Sequence, residues 1–402
     1  MRYFSFLTRE EESAIFFSAP TSFNSSSNKQ LLAHAVGAAL YMPATRPTIA
    51  QELLQRKHEG LVTIVIDLED AVGDNQIEQA EQILVQQFAQ LRTFLQEGRM
   101  HADDLPLIFI RIRTPEQLSR LVSRLEHHIT LVAGFVFPKF SVEEGQPYFE
   151  LLSNYNTHKQ DDAPILYGMP ILETAQVIYK ETRYQDLLSI KQLLDHYKAY
   201  VLNVRIGATD FSSLFGLRRS PDMTIYDIGV IRDCMTDIVN VFGRVEDSYV
   251  ISGAVWEYFK SERVLKPQLR QTPFEESMGR NGRLLRKQFI NRYVDGLIRE
   301  VVMDKENGII GKTIIHPSHI KPVQSLYAVT HEEFMDASSI IAHNDGSLGV
   351  MKSEYSNKMN EIKPHLSWAH RIMIRSKIYG VLHEHQNFTS LLATHDHDHA
   401  LV

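Results

Sequence analysis

The chain contains very little cysteine: Cys234 is the only one among its 402 residues. No disulfide can form within the chain, so a reducing compartment is its natural setting. Long apolar runs are also missing, because charged residues at 9–12 interrupt the apolar N-terminal segment. Without a run of signal-peptide or membrane-spanning length, the sequence predicts a soluble, cytoplasmic protein with no membrane partner.

An excess of positive charge is absent as well, because the net charge is −7 and the isoelectric point is about 6.2. This balance lacks the basic footprint of a nucleic-acid-binding protein, so we expect no nucleic-acid partner. The sequence also has no glycine-rich dinucleotide turn, no Walker loop and no G-x-S-x-G nucleophile elbow. Enzymes that depend on those motifs are therefore disfavoured.

What the sequence does contain is eight short apolar runs, separated by longer stretches with helical spacing. Short runs that are apolar nearly throughout are typical of parallel strands covered on both faces. The stretches at 76–97, 174–198 and 286–304 have the spacing of amphipathic helices. The predicted strands are 36–42, 61–68, 106–112, 131–138, 163–170, 200–207, 248–255 and 311–317.

Eight strands that alternate with helices predict an α/β fold, a closed (β/α)8 TIM barrel. The alternative is an open, doubly wound sheet, which the missing glycine-rich turn makes less favoured. We divide the chain into an irregular N-terminal arm at 1–30, a catalytic barrel at 31–330 and a helical C-terminal extension at 331–402. A basic insertion at 256–287 interrupts the seventh strand–helix unit.

Polar residues lie at the predicted carboxyl ends of these strands, where TIM-barrel enzymes carry their active sites. Carboxylates from three strand ends can converge there, and oxygen ligands together with several waters are what Mg²⁺ prefers. No His/Cys cluster with zinc spacing lies at these ends, which disfavours zinc. The strand-end residues are Asp67, Glu69, Asp70, Arg111, Lys139, Glu173, Thr209 and Asp210.

Seven segments, in order and spanning about residues 36–329, resemble the citrate lyase β-subunit-like proteins of the HpcH/HpaI aldolase and citrate lyase family. Each segment alone is a weak signal, but their order and their positions at strand ends are specific. The segments are YMPATRP (41–47), VIDLEDAV (65–72), FIRIR (109–113), FPKF (137–140), ILETAQVI (171–178), RIGATDFSSLFGLR (205–218) and GIIGKTIIHPSHI (308–320).

The resemblance implies a Mg²⁺-dependent carbon–carbon lyase or aldolase that makes or breaks a bond next to a 2-oxo acid, free or as a thioester adduct. It implies that Glu173 and Asp210 bind the metal directly. Glu69 and Asp70 are implied to hold waters on that metal. It further implies a homo-oligomer, a trimer or a hexamer, in which the C-terminal extension forms a lid.

The same resemblance implies contacts to the substrate. Arg111 faces the reacting carbonyl as a catalytic residue, and backbone amides near Ala208 and Thr209 hold the substrate carboxylate. Arg46 matches an arginine that contacts the phosphates of a CoA thioester. Lys139, at a Pro-Lys strand end, either contacts the substrate or forms a structural ion pair.

One departure from the family pattern concerns the lid. Family members carry an aspartate there that acts as a base in lyases of malyl-type thioesters, whereas this chain has Asn360 followed by Glu361. An amide cannot accept a proton as a carboxylate does. The identity of the base is therefore open, and two other functions remain: thioesterase or acyl-transfer activity on the same site, and a non-catalytic ligand-binding or scaffold barrel.

Three further features have mainly structural interpretations. The basic insertion at 256–287 is ordinarily a solvated face, with phosphate binding as the minority interpretation, and the adjacent pair Arg218 and Arg219 has the same two interpretations. His316 fits a structural histidine at the rim of the barrel. The histidines of the end segment 394–402 can bind a transition metal, but chain ends are usually disordered.

Overall fold

The computed structural model describes residues 1–160, 163–259, 275, 278–282 and 294–393. Most of the predicted basic insertion and the whole end segment 394–402 lie outside these residues. The chain divides into two compact units. The first comprises Met1, Phe23–Glu257 and Arg299–Ile320, and the second comprises the described residues of Arg2–Ser22, Tyr258–Ile298 and Lys321–Val402.

The first unit contains a closed barrel of eight parallel strands, as the sequence predicts. Every strand lies within or overlaps one of the eight predicted apolar runs. The barrel closes because β2 pairs with both β3 and β9, the last strand. The strands are β2 (Ala38–Pro43), β3 (Thr63–Asp67), β4 (Leu107–Arg111), β5 (Gly134–Phe137), β6 (Tyr167–Leu172), β7 (Val204–Ile206), β8 (Ile251–Trp256) and β9 (Lys312–Ile314). The short strand β1 (Phe16–Ser18) lies in the second unit.

Helices follow the strands along the chain, and their faces alternate between buried and exposed as amphipathic spacing requires. The predicted helix at 174–198 is interrupted at Tyr179, which has an extended backbone. None of the helices in the described part of the chain is long and apolar enough to cross a membrane. Through the barrel they are α2 (Lys29–Ala35), α3 (Ile49–Leu54), α4 (Ile77–Gln96), α5 (Pro115–Leu125), α6 (Val142–His158), α7 (Ala175–Ile178), α8 (Lys180–His196), α9 (Ala208–Ser213), α10 (Gly229–Phe242) and α11 (Asp295–Glu306).

A buried ion network joins the outer face of β9 to α11. Lys312 is fully buried, and its Nζ lies 2.6 Å from Glu300 and 2.7 Å from Asp304. Arg219 also contacts Glu300, and the hydroxyl of Tyr226 donates to Asp304 at 2.7 Å. Arg219 is therefore buried in a structural network, and the alternative of a phosphate contact has no support from these contacts.

The second unit contains residues 2–22 of the predicted irregular arm, and part of this segment is regular. Thr8 caps α1 (Arg9–Ile15) with a capping box, and β1 pairs with β12 (Val381–Leu382). The two longer helices of the C-terminal extension pack on each other around a common apolar core, and the extension also contains two short helices. In chain order the helices are α12 (Ile320–Ser325), which begins at the end of the first unit, α13 (His331–Ala342), α14 (Ile362–Tyr379) and α15 (Phe388–Ala393).

A short antiparallel pair of strands, β10 (Val350–Lys352) and β11 (Met359–Glu361), carries Asn360. The side chain of Asn360 is buried, and its Nδ2 donates to Oδ1 of Asp336 at 2.8 Å. Ser353 donates to the same oxygen at 2.9 Å, and Lys358 lies 2.8 Å from Oδ2. Within the second unit, Asn360 is thus a donor to a buried carboxylate.

Candidate active site

The carboxyl ends of β3 and β4 are joined by an ion pair inside the barrel. Nε and Nη2 of Arg111 donate to Oδ1 and Oδ2 of Asp67 at 2.7 and 2.6 Å. The backbone N–H of Glu69 donates to Asp67 as well, at 2.9 Å. Asp67 lines the central cavity, and its contact with Arg111 fixes where that guanidinium points.

Glu69 and Asp70, on the loop after β3, also contact Arg111. Its Nη1 lies 2.9 Å from Glu69 and 3.1 Å from Asp70. Burial raises the pKa of Glu69, and the nearby Arg111 charge offsets only part of that rise. Burial also acts to raise the pKa of Asp70, but the charges of Arg111 and Lys139 and a hydrogen bond with Glu69 together outweigh it, so the pKa is lowered. The two neighbouring carboxylates therefore differ in their affinity for a proton.

Lys139 links this loop to the next strand ends. Its Nζ contacts Glu69, and its backbone N–H donates to Oε1 of Glu173 at 2.7 Å. Lys139 has φ +45°, in the left-handed region that residues other than glycine rarely adopt. Strain of this kind is concentrated at functional sites. Of the two sequence interpretations, the ion pair is observed.

Glu173 and Asp210 meet at the ends of β6 and β7. Their carboxyl groups are hydrogen-bonded to each other. Burial raises the pKa of Glu173 to about 8, and the charge of Asp210 adds to the rise. Burial raises the pKa of Asp210 too. The pair shares a proton because a buried carboxylate and a half-buried one beside it repel each other when both are ionised.

The Glu173–Asp210 pair fits a hard divalent cation. Both ligands are oxygen donors, and Mg²⁺ in enzymes commonly takes one or two carboxylates and fills its other positions with water and substrate. A cation between them would replace the shared proton and remove the repulsion. Among the described residues, no group of three or more His, Cys, Asp or Glu side chains is arranged to hold a metal ion.

A cavity of about 310 Å³ opens at these strand ends. It is lined by Arg111, Glu173 and Asp210, which the sequence singled out, and also by Tyr41 and Arg205, which it did not. Arg205 is a charged residue within the otherwise apolar run 200–207, and that contrast is the signal that could have revealed it. The guanidinium groups of Arg111 and Arg205 lie 5.3 and 6.0 Å from the ring centroid of Tyr41.

Of the other predicted site residues, Thr209 lines the cavity, whereas Ala208 and Arg46 are not among its lining residues. The hydroxyl of Thr209 donates to Glu257 at 3.0 Å. Ala208 begins α9, so its N–H belongs to a first helical turn that has no acceptor within the helix. Arg46 is held by Glu52, with Nη2 2.6 Å from Oε1, and among the described residues it is not part of the cavity lining.

Comparison with known proteins gives one family and several similar structures. A family model described as C–C bond lyase of the TIM-barrel fold matches residues 30–381. No curated protein matches the chain. A citrate lyase from Burkholderia xenovorans LB400 is similar in structure, with a TM-score of 0.55 and 14% identity over 86% of this chain and 92% of that chain.

Two further solved structures are similar at a lower TM-score. The protein CitE from Mycobacterium tuberculosis, in complex with magnesium, acetoacetate and coenzyme A, has a TM-score of 0.48 and 19% identity over 86% of this chain and 99% of that chain. A malate synthase from Haloferax volcanii, as a magnesium/glyoxylate complex, has a TM-score of 0.44 and 11% identity over 71% and 73% of the two chains.

Proposed function

The chain belongs to the C–C bond lyase family of the TIM-barrel fold, and from that premise we propose that it is a Mg²⁺-dependent lyase that cleaves or forms a bond next to the oxo group of a 2-oxo acid. The carbon–carbon lyase class follows from the family. The metal, the 2-oxo acid and the roles of individual residues are the proposal. They rest on the strand-end site at β3, β4, β6 and β7.

The observation that supports the proposal best is the hydrogen-bonded carboxyl pair of Glu173 and Asp210. As a purely structural feature, a pair of neighbouring acids of which one is buried and the other half-buried is unfavourable, because burial disfavours the ionised form and the two charges repel. The backbone hydrogen bond from Lys139 nevertheless positions Glu173, and both acids line the cavity. An arrangement that costs stability and faces a cavity is characteristic of a functional site.

Each surrounding group has a part in this proposal. Glu173 and Asp210 would hold Mg²⁺, which would supply Lewis-acid polarisation and help to orient the substrate. Arg111, fixed by Asp67, places positive charge where an oxyanion develops. Backbone N–H groups of the first turn of α9, at Ala208 and Thr209, bind the substrate carboxylate. Glu69 and Asp70 accept hydrogen bonds from water in the cavity.

In the cleavage direction, a hydroxyl group of the substrate loses its proton and becomes the new carbonyl group. The bond between its carbon and the neighbouring carbon breaks, and the electron pair leaves on the second fragment as an enolate, which is then protonated. Arg111 stabilises oxyanion charge during this step. Condensation is the reverse sequence.

A turnover screen tests the proposal. Purified protein with Mg²⁺ would be incubated with oxaloacetate, pyruvate, glyoxylate and malyl and citryl thioesters, with and without acetyl-CoA, and the products followed by mass spectrometry. We expect carbon–carbon cleavage or condensation that chelation of the metal abolishes. Thioester hydrolysis without a carbon–carbon change would instead support the acyl-transfer alternative.

The matched variants are Glu173→Gln at the site and Glu181→Gln on the exposed face of α8. Glu173→Gln removes one charged ligand, so we expect the affinity for Mg²⁺ to fall at least about tenfold in calorimetric titrations. Glu181→Gln should bind Mg²⁺ as the unmodified protein does. Equal affinities in all three proteins would contradict the ligand assignment, and the absence of both turnover and Mg²⁺-dependent ligand binding would exclude the lyase.

A further inference from the structure

Arg205 is a cation inside the barrel that the proposed chemistry does not use. It lies on β7, and only 1% of its surface is exposed. Its hydrogen bond runs from Nη2 to the hydroxyl oxygen of Thr313 on β9, at 2.8 Å. The ring of Tyr41 lies on one side of the guanidinium, with 6.0 Å between the guanidinium carbon and the ring centroid. Thr313 and Tyr41 therefore hold the group in place without neutralising it.

Some N–H donors of the Arg205 guanidinium have no acceptor among the described residues. Nε and Nη1 are buried and have no hydrogen-bond partner among the residues that the structure describes. These two nitrogens carry most of the N–H donors of a guanidinium. A buried cation whose donors are left unmatched is costly, since it has lost its water without gaining a partner.

The other buried cations of the same barrel are matched. Arg111 lies within ion-pair distance of Asp67, Glu69 and Asp70. Lys312 lies within that distance of Glu300 and Asp304. In the described part of the chain Arg205 has no such carboxylate. A role in folding alone does not explain why Arg205 lacks a carboxylate partner. An apolar residue of similar volume at this position would give a more stable protein.

Arg205 lines the same cavity as Glu173 and Asp210. We propose that Arg205 binds a second carboxylate of the substrate, at the end remote from the 2-oxo acid group, and that the enzyme thereby selects dicarboxylates. The position of the 2-oxo group rests on the proposed function, whereas the anion contact rests on the unmatched guanidinium itself.

A carboxylate is the anion that suits this site. The planar fork of a guanidinium matches a planar carboxylate through paired hydrogen bonds. The cavity of about 310 Å³ is at the small end of the range for ligand sites, which favours a compact acid. The apolar neighbours Ile171 and Ile206 also line it and offer no competing acceptor from their side chains.

The test compares acids that differ in the second carboxylate. Pyruvate, oxaloacetate and 2-oxoglutarate would be titrated calorimetrically into the full chain, once with Mg²⁺ and once with EDTA. The variants are Arg205→Met, Arg205→Lys and, as a matched control, Arg232→Met on the exposed face of α10. Thermal unfolding of each variant reports on its fold.

We expect at least one of the two dicarboxylates to bind the unmodified protein and the control at least about tenfold more tightly than pyruvate, which is the typical effect of a charge-assisted hydrogen bond. Arg205→Met should lose this preference while binding pyruvate within about twofold of the unmodified protein. Arg205→Lys should keep part of the preference. Arg205→Met should unfold at the same or a higher temperature, because it removes an unmatched buried charge.

Other outcomes separate the two proposals. Mg²⁺-dependent binding of pyruvate without a dicarboxylate preference would overturn the role of Arg205 and leave the proposed function standing. A preference that Arg205→Met abolishes equally with Mg²⁺ and with EDTA would support Arg205 and contradict the metal proposal. A preference that survives in Arg205→Met would overturn the inference, and the absence of binding of every acid in both conditions would overturn both.

Discussion

Arg111 and Asp67 form a two-point ion pair at the centre of the barrel, with nitrogen–oxygen distances of 2.7 and 2.6 Å. The pair joins neighbouring strands, since Asp67 ends β3 and Arg111 ends β4 in the same register. Because both side chains are buried, the carboxylate holds Arg111 in position before any substrate arrives. Arg111 is thus a preorganised cation, and Asp67 is its positioning residue.

The first prediction concerns Asp67→Asn. Removing one charge from a buried pair leaves the other partly unmatched, so we expect the free energy of unfolding to fall by about 3 kcal/mol in urea titrations. Glu97→Gln, which alters the exposed pair with Arg99, should change it by less than about 0.5 kcal/mol. Equal effects of the two substitutions would mean that the Asp67 pair does not constrain the strand ends.

The second prediction concerns pH: in EDTA the stability of the protein should fall as the pH rises, whereas its affinity for Mg²⁺ should increase. Burial and then the charge of Asp210 raise the pKa of Glu173 from 4.5 to about 8. A carboxyl group whose pKa is higher in the folded than in the unfolded protein stabilises the fold at pH values below its unfolded pKa. This contribution is lost as the pH rises through the folded pKa of about 8. In EDTA, the thermal unfolding temperature should therefore contain a component that falls between about pH 4.5 and 8, and Glu173→Gln should lack it.

Binding of Mg²⁺ should have the opposite sign, because the metal must displace the shared proton. Below about pH 8 the affinity should rise roughly tenfold per pH unit, with one proton released, and then level off. Calorimetry in buffers of different ionisation enthalpy measures that proton. An affinity independent of pH between 6 and 8 would contradict the shared proton at Glu173 and Asp210.

The third prediction concerns Gly207. A Cβ atom built at this position would lie 2.0 Å from Oε2 and 2.5 Å from Cβ of Glu173. Gly207→Ala should therefore displace the Glu173 carboxylate and weaken Mg²⁺ binding at least about tenfold, with a loss of about 1–3 kcal/mol in unfolding free energy. Gly229→Ala is the control, since a Cβ there meets nothing within 4 Å. Unchanged Mg²⁺ affinity in Gly207→Ala would argue against Glu173 as a ligand.

The fourth prediction concerns Asn360, where relatives of this chain are expected to carry an aspartate. Asn360→Asp replaces a donor to Asp336 by a second buried carboxylate, so it should lower the free energy of unfolding by about 1–3 kcal/mol. Asn357→Asp changes an exposed donor to Glu332 and should have an effect below about 0.5 kcal/mol. A stable Asn360→Asp variant with raised lyase activity would show that the position can still supply the base.

The barrel and its strand-end carboxylates could be predicted because both depend on local patterns. Fully apolar runs mark strands buried on two faces, and the order of strands places their carboxyl ends together. The same uniformity hides which residues of a strand point inward. Arg205 could therefore be recognised as unusual in its run, but only the tertiary structure shows that its Nε and Nη1 have no hydrogen-bond partner among the described residues.

Two other features also lay beyond the sequence pattern. The predicted helix is interrupted at Tyr179, where the backbone is extended. No proline or glycine marks this position in the sequence. The pairing of Arg46 with Glu52 joins a loop to the following helix, and loop side chains follow no periodicity.

Closure of the barrel has a consequence for synthesis of the protein. The first barrel strand, Ala38–Pro43, needs the last, Lys312–Ile314, as its second neighbour. A ribosome has therefore to translate most of the chain before the sheet is complete, and until then the nascent chain carries two unpaired strand edges. Such edges are templates for aggregation, so efficient production in a heterologous host should depend on chaperone capacity and on slow, cool expression.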